Sequence, residues 1–431
     1  MLKILFHSII SIKSPPKSSF IKAMHKFTRP FYNEVTWYKD LAPVLSLANG
    51  ENCIDRILPK CYFAYSNYYM QEAGNGGNET CCTKSCPWFC YVPCKPSEEG
   101  ILILENIRHR QQSYKVFKKL RPMDLQHVTL LMKELANFHG MWLKYKFMAQ
   151  KGALEAKERR GSDGVPVKPI AWEKFEKNQN TQKRMPKIAY NQLKKVAKRT
   201  VLHILSQCEG STEAENINKC RRFFDQTASR KLSEYFGEEA KPVYTLCHGD
   251  FWSNNILFTY ADDNPDIPTS LVIIDYQLIN VGNPCYDLVY FLYLNTDLDF
   301  RDQHLKACLK LYYDQFSTYF EGNLTYSFEE FLQDFDRFKA IGFTTACSVM
   351  PNILSDSEVE LEGNPLTALR NLQRKQVIKK SLYNYYSSPD LLYIYFSFQR
   401  EDMEDMNSEC GQEIKRRIID LVHEMARDGV I

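Results

Sequence analysis

Two carboxylates and an amide carry the clearest chemistry in this chain. Cys247-His248-Gly249-Asp250-Phe251-Trp252-Ser253-Asn254-Asn255 leads into an apolar run, and a polar loop then leads to Val272-Ile273-Ile274-Asp275-Tyr276-Gln277. Asp250 and Asn255 lie five residues apart, the interval at which phosphoryl-transfer loops place a base and a metal-binding amide. Asp275 closes an apolar segment, where a second metal-binding carboxylate belongs. In such a set one carboxylate deprotonates the attacking hydroxyl, and the other carboxylate with the amide oxygen holds Mg²⁺ against phosphates. His-Gly-Asp alone is a weak signal, because Asp often caps turns. The three residues in this order and spacing are a stronger one.

The elements that must position them follow from patterning. Residues 4 to 13 alternate as a strand and stop at Ser14-Pro15-Pro16. Lys13 at its end could reach nucleotide phosphates, although a lone lysine is more often a solvated surface group. Phe27 to Leu47 reads as a helix, with Phe31, Val35 and Tyr38 at helical spacing. Glu34 on it either faces water or pairs with Lys13, the ion pair that active kinases need. Pro59 to Tyr65 and Ile101 to Asn106 read as strands. The second is either a plain core strand or one leading to an interlobe linker beside an adenine. Leu125, Val128, Leu131, Leu135, Phe138 and Trp142 form a buried helical stripe, with His139 as a packed group at its end.

Further helices are expected within Gly152 to Arg199, over Phe223 to Phe236, over Leu305 to Tyr319 and over Ile414 to Ile431. Ser327 with Glu330 forms a capping box before Phe331 to Phe338. Tyr260 to Ser270 reads as a hairpin connection with two prolines. Asp287 opens an apolar helix, either as its cap or as a brace beneath the Asp250 loop.

With 431 residues the chain can form one large two-lobed domain or two ordinary ones. A formal charge of +3 is too small to argue for nucleic acid or an anionic membrane as partner. No apolar run of about 18 residues occurs, against a membrane-inserted helix, and no signal-peptide pattern opens the chain. The 14 cysteines are scattered apart from five between Cys81 and Cys94, as suits free thiols in a reducing, cytoplasmic setting. The glycosylation patterns at Asn78 and Asn323 are then chance matches. The Cys81 to Cys94 cluster, in a Gly-rich stretch over residues 71–100, reads as a surface insertion. Its spacing is poor for structural zinc, so a thiol-bearing loop is the default and a metal site the alternative.

His248 to Asn255 together with Ile274-Asp275-Tyr276-Gln277 resembles the ecdysteroid-kinase-like (CHK kinase-like) family, relatives of choline kinases and aminoglycoside phosphotransferases. The Trp two residues after the Asp, the double Asn and the Gln after Asp-Tyr set it apart from protein kinases. Lys13, Asn33-Glu34-Val35, Pro59 to Tyr62, Leu104-Glu105-Asn106, Leu135 to His139 and Arg417 to Asp420 fall in the family's order, so the resemblance spans nearly the whole chain.

The resemblance implies an α+β, protein-kinase-like fold. A small β-rich lobe would occupy residues 1–106 and a mainly helical lobe residues 107–431. It implies ATP and Mg²⁺ as cofactors, and a small-molecule alcohol, steroid-like or xenobiotic, as acceptor. By carry-over, Asp250 is the base, and Asn255 and Asp275 are the metal ligands. Lys13 and Glu34 position phosphate, Glu105 and Asn106 lie beside adenine, and His248 and Asp287 brace the loop. The family usually has two strands and a phosphate-covering loop before the strand lysine, and only twelve residues precede Lys13 here. An incomplete small lobe, weak ATP binding and poor solubility are therefore expected, with a catalytically weak or inactive binding protein as the alternative. Oligomeric state is not legible.

Overall fold

Lys13 sits at the end of β1 (Ile10–Lys13), which runs antiparallel to β3 (Gly100–Glu105); β3 pairs on its other side with β2 (Cys61–Ser66). The fold is known from a computed structural model, which describes residues 10–13, 30–50, 54–66, 100–107, 110, 114–118, 120–150, 184–208, 210–231, 243–262, 264–354 and 407–431. Leu102 and Leu104 of β3 are buried while their neighbours are half-buried, the alternation of a strand with one face on a core.

The helix that covers this sheet begins as α1 (Pro30–Thr36), widens into a π-turn at Trp37–Leu41 and continues as α2 (Ala42–Asn49). Pro30 suits the first helical position, where no N–H is required. Gly50, at φ 94°, ends the run in a conformation that disfavours side chains. Within the π-turn Trp37 and Tyr38 are both buried, and both rings meet Tyr276.

The remaining helices build one apolar core with α1 and α2. Asp124 caps α3 (Leu125–Gln150) by accepting from the amides of Gln126 and His127; of the expected stripe, Val128, Leu131, Leu135, Phe138 and Trp142 are buried, whereas Leu125, in the first turn at the helix end, is exposed. Then follow α4 (Arg184–Leu205), α5 (Ser211–Arg222), α6 (Cys285–Asn295), α7 (Leu298–Ser317), α8 (Phe328–Leu354) and α9 (Glu409–Arg427). The Ser327/Glu330 capping box forms at the start of α8. Buried Arg417 of α9 pairs with Glu413 and donates to the carbonyls of Leu294 and Leu120. Buried Arg301 and Glu424 tie α7 to α9.

Short strands frame the site. β4 (Lys115–Val116), β6 (Ile256–Ala261) and β7 (Asn264–Ile273) form one antiparallel sheet in the order β4-β6-β7, and β5 (Thr245–Cys247) pairs with β8 (Asn280–Gly282). The expected loop from Tyr260 to Ser270 is mostly strand, with β6 running to Ala261 and β7 starting at Asn264. Pro265 and Pro268 misled the sequence reading. They are tolerated because β7 is an outer strand of the sheet and its register with β6 shifts beside Pro268.

α7 begins earlier than Leu305, and α9 stops before Ile431. The first residues of the expected opening strand, the Cys81 to Cys94 cluster, Asn78 and most of residues 152–183 lie outside the described residues. Among the described residues every cysteine is a free thiol, and no helix is long and apolar enough to cross a membrane.

Candidate active site

The loop that carries Asp250 leaves β5 through His248 and Gly249. Gly249 adopts φ 83°, and a Cβ there would strike the Leu278 carbonyl, so the turn requires glycine. The loop's amides are held from below. Fully buried Asp287 accepts from the His248 amide at 2.7 Å, the Gly249 amide at 3.0 Å and His139 Nε2 at 3.1 Å. His139 Nδ1 in turn accepts from the Tyr312 hydroxyl at 2.5 Å. Burial lowers the His139 pKa against the pull of Asp287, and a neutral ring offers the one donor and one acceptor used here. His139, Cys247 and Asp287 come close enough together to resemble a metal site. The Asp287 and His139 atoms are already committed to hydrogen bonds, so the cluster is read as a brace. Asp287 therefore braces rather than caps; at the start of α6 the side chain of Asn283 accepts from the Cys285 amide.

His248 links this loop to the next. Its Nε2 donates to the Ile274 carbonyl at 3.0 Å, and its Nδ1 accepts from the Asp250 amide at 3.3 Å. The Ile274 amide returns a bond to the Asn255 carbonyl at 2.9 Å. Asp250 and Asp275 are thereby placed by one shared network.

The Asp250 carboxylate has two donors. Tyr290 OH reaches Oδ1 at 2.9 Å, and Asn255 Nδ2 reaches Oδ2 at 3.1 Å while also bonding the Asp250 carbonyl at 2.9 Å. Burial pushes the Asp250 carboxyl above its ordinary range; nearby Asp275 adds to this, and His248, Tyr290 and Asn255 oppose it. With its amide nitrogen spent on Asp250, Asn255 has its carbonyl oxygen left for another cation or donor.

Asp275 lies just past β7 in the left-handed region, at φ 69° and ψ 61°. One of its oxygens meets Lys13 Nζ at 3.3 Å, and the side chain is one-third exposed. Lys13 also meets fully buried Glu34 at 2.6 Å. Burial pushes Glu34 up to about 7 against the pull of Lys13. Lys13 itself is raised: burial lowers it, and Glu34 and Asp275 together outweigh that. Asn33 on the same helix donates to the Gln277 carbonyl at 3.0 Å, tying α1 to the segment after Asp275. The free oxygens of Asn255 and Asp275 are hard donors of the kind Mg²⁺ takes, so the residues present fit that ion.

At the end of β3 the Glu105 carboxylate turns to Arg110, which it binds through both oxygens at 2.8 and 2.7 Å, and to the Lys60 amide at 3.0 Å. Its side chain thus secures the strand end. Asn106 follows it, half-buried. Beside this turn Ile107, Tyr114, Leu257 and Val272 form a small apolar cluster with Ile274 against it.

Of the residues singled out from sequence, Lys13, Glu34, Asp250, Asn255, Asp275, His248 and Asp287 are brought together, and Glu105 and Asn106 stand apart at the end of β3. Sequence reasoning missed Tyr290, Tyr312 and Arg110, and gave Asn33 no role of its own. Tyr290 had a signal, since it lies three residues after Asp287 and so shares its helical face. Tyr312 is far from its partner in sequence, Arg110 meets Glu105 across a turn five residues on, and nothing local marks either.

A Caenorhabditis elegans protein named uncharacterized oxidoreductase dhs-27 is 32% identical over 72 residues, which is 16% of this chain and 9% of that protein; so short a match carries no function. A mutant aminoglycoside 2′-phosphotransferase-IIIa solved with GDP aligns over 93% of this chain and 87% of its own, at 13% identity and a TM-score of 0.32, too loose to argue from. The weight rests on a family match that takes in the strand lysine, the helix glutamate, both loops and the brace: over residues 6–322 the chain matches the ecdysteroid kinase-like family and belongs to it, with the α+β, protein-kinase-like fold of that family.

Proposed function

We propose that the chain transfers the γ-phosphoryl group of ATP to a hydroxyl of a small molecule, with a steroid-like or xenobiotic alcohol as acceptor. The carrying observation is the pairing of Asp250 with Asn255 beside the Lys13, Glu34 and Asp275 network. Asp250 accepts the proton of the attacking hydroxyl, and its raised proton affinity suits that task. The acceptor oxygen forms a bond to the γ-phosphorus, the bond from that phosphorus to the bridging oxygen breaks, and its electrons leave with ADP. Lys13, held by Glu34, positions the phosphates. The apolar cluster beside Glu105 and Asn106 suits the face of a base. Asn255 and Asp275 would hold Mg²⁺, which when bound neutralises phosphate charge. A small lobe ending near residue 106, a helical lobe after it and a cytoplasmic setting belong to this reading.

The test is ADP formation from Mg·ATP with an ecdysteroid alcohol, choline and an aminoglycoside as acceptors. Turnover with one of them, lowered at least about a hundredfold in Asp250→Asn, is expected. Tight Mg·ATP binding without transfer to any acceptor would instead favour a kinase-fold binding protein.

A further inference from the structure

The helix α6 faces the Asp250 loop with two side chains on one stripe. Asp287, near its start, takes the backbone amides of His248 and Gly249. Tyr290, three residues on, reaches past the backbone to the Asp250 side chain itself, 2.9 Å from Oδ1. Its ring is buried and stacked on Tyr286, with centroids 6.2 Å apart and planes 24° from parallel.

An Asp carboxylate turns easily about its last torsion, which has broad minima. The Asn255 amide holds Oδ2, and a single anchor leaves the plane of the group free to rock. A second donor on the other oxygen fixes that plane. Because an ionised carboxylate only accepts, the phenol must donate. Once Asp250 has taken a proton, the phenol can turn and accept instead, so the contact survives both states. Each carboxylate oxygen keeps another lone pair for an incoming hydroxyl.

We propose that Tyr290 is a positioning residue for phosphotransfer, its phenol setting the orientation in which Asp250 meets the acceptor hydroxyl. The proposal rests on the reading of Asp250 as base. Tyr290 itself touches neither metal ligand, and Phe at this position would keep the ring and its packing.

The test is a double-substitution cycle on the full chain. ADP formation from Mg·ATP is followed with water and with an ecdysteroid alcohol as acceptors. Loss of a hydrogen bond to a charged group corresponds to about a ten- to hundredfold effect. Tyr290→Phe should therefore lower kcat by about that factor and leave the KM for Mg·ATP within about twofold. In an Asp250→Asn background the same substitution should cost nothing further, because its effect passes through the carboxylate. Equal losses in both backgrounds would overturn the proposal, as would a raised KM with kcat kept.

Full turnover in Tyr290→Phe beside a dead Asp250→Asn would sink the positioning role alone. Full turnover in Asp250→Asn would sink the base and the proposal with it. A crystal structure of Tyr290→Phe decides without any turnover: the Asp250 carboxylate should turn from its place, and an unchanged carboxylate overturns the proposal.

Discussion

The two sides of the site are built differently. Beneath Asp250, Asp287, His139 and Tyr312 form a buried chain in which each group has found its partners. Around Glu34, the Trp37 ring nitrogen and the hydroxyls of Tyr38 and Tyr276 have no partner among the described residues. Buried polar atoms without partners cost stability, and they collect where a structure is built for something other than rest. The partners of the Asp250 side are all in place, whereas the lysine side is held by the Lys13 contacts to Glu34 and Asp275, one hydrogen bond from Asn33 and aromatic stacking. Substitutions on the base side should therefore act on rate or folding, and those on the lysine side on nucleotide binding.

The largest effect expected is on turnover. Asp250→Asn should lower it by at least about a hundredfold, since general-base contributions run about 10² to 10⁴, with Mg·ATP affinity nearly kept by calorimetry. An equal loss of affinity would erase the contrast between the sides. Next comes folding. Asp287→Ala strips partners from two buried amides and from His139, at roughly 1–3 kcal/mol each, so denaturant melts should show a loss of at least about 3 kcal/mol. A melt within about 1 kcal/mol of the parent would mean that the brace is not one.

On the lysine side, Asp275→Ala should weaken Mg²⁺-dependent ATP binding by at least about tenfold, and unchanged binding would remove Asp275 from the ligand set. The smallest effect is a pH dependence. Glu34 is raised from 4.5 to about 7, so its neutral form dominates below that pH and the charged pair with Lys13 strengthens above it. Mg·ATP affinity should rise through about pH 7, and Glu34→Gln should flatten that rise. By linkage, the raised pKa makes Glu34's contribution to stability complete below 4.5 and lost as pH climbs to about 7. A rise that persists in Glu34→Gln would assign it to another group.

The same contrast separates what was legible in the sequence from what was not. Asp250, Asn255 and Asp275 were legible because the phosphotransfer role proposed for them goes with fixed intervals at strand ends. Helix α3 and its stripe were legible because periodicity needs only local sequence. Lys13 and Glu34 were not locally marked, and only their order relative to the distant loops gave them meaning. Their contact spans residues that no short-range rule connects. Glu105 was read for what it might face, while its side chain was claimed by Arg110, five residues on across a turn that the sequence does not show. The β6-β7 hairpin was read as a hairpin, but its connection was drawn too long because prolines usually mark loops, and strand position in the sheet decides whether they do.

Asp275 also sets folding against function at a single residue. Its φ of 69° strains the backbone of any residue with a Cβ, by roughly 1 kcal/mol, and glycine alone escapes the strain. Asp275→Gly should therefore leave a chain that withstands heat better than Asp275→Ala does, while both lose the carboxylate. Selection for thermal tolerance alone would weigh that strain against the Lys13 ion pair. A carboxylate that persists under such selection would measure how much the organism needs what it holds.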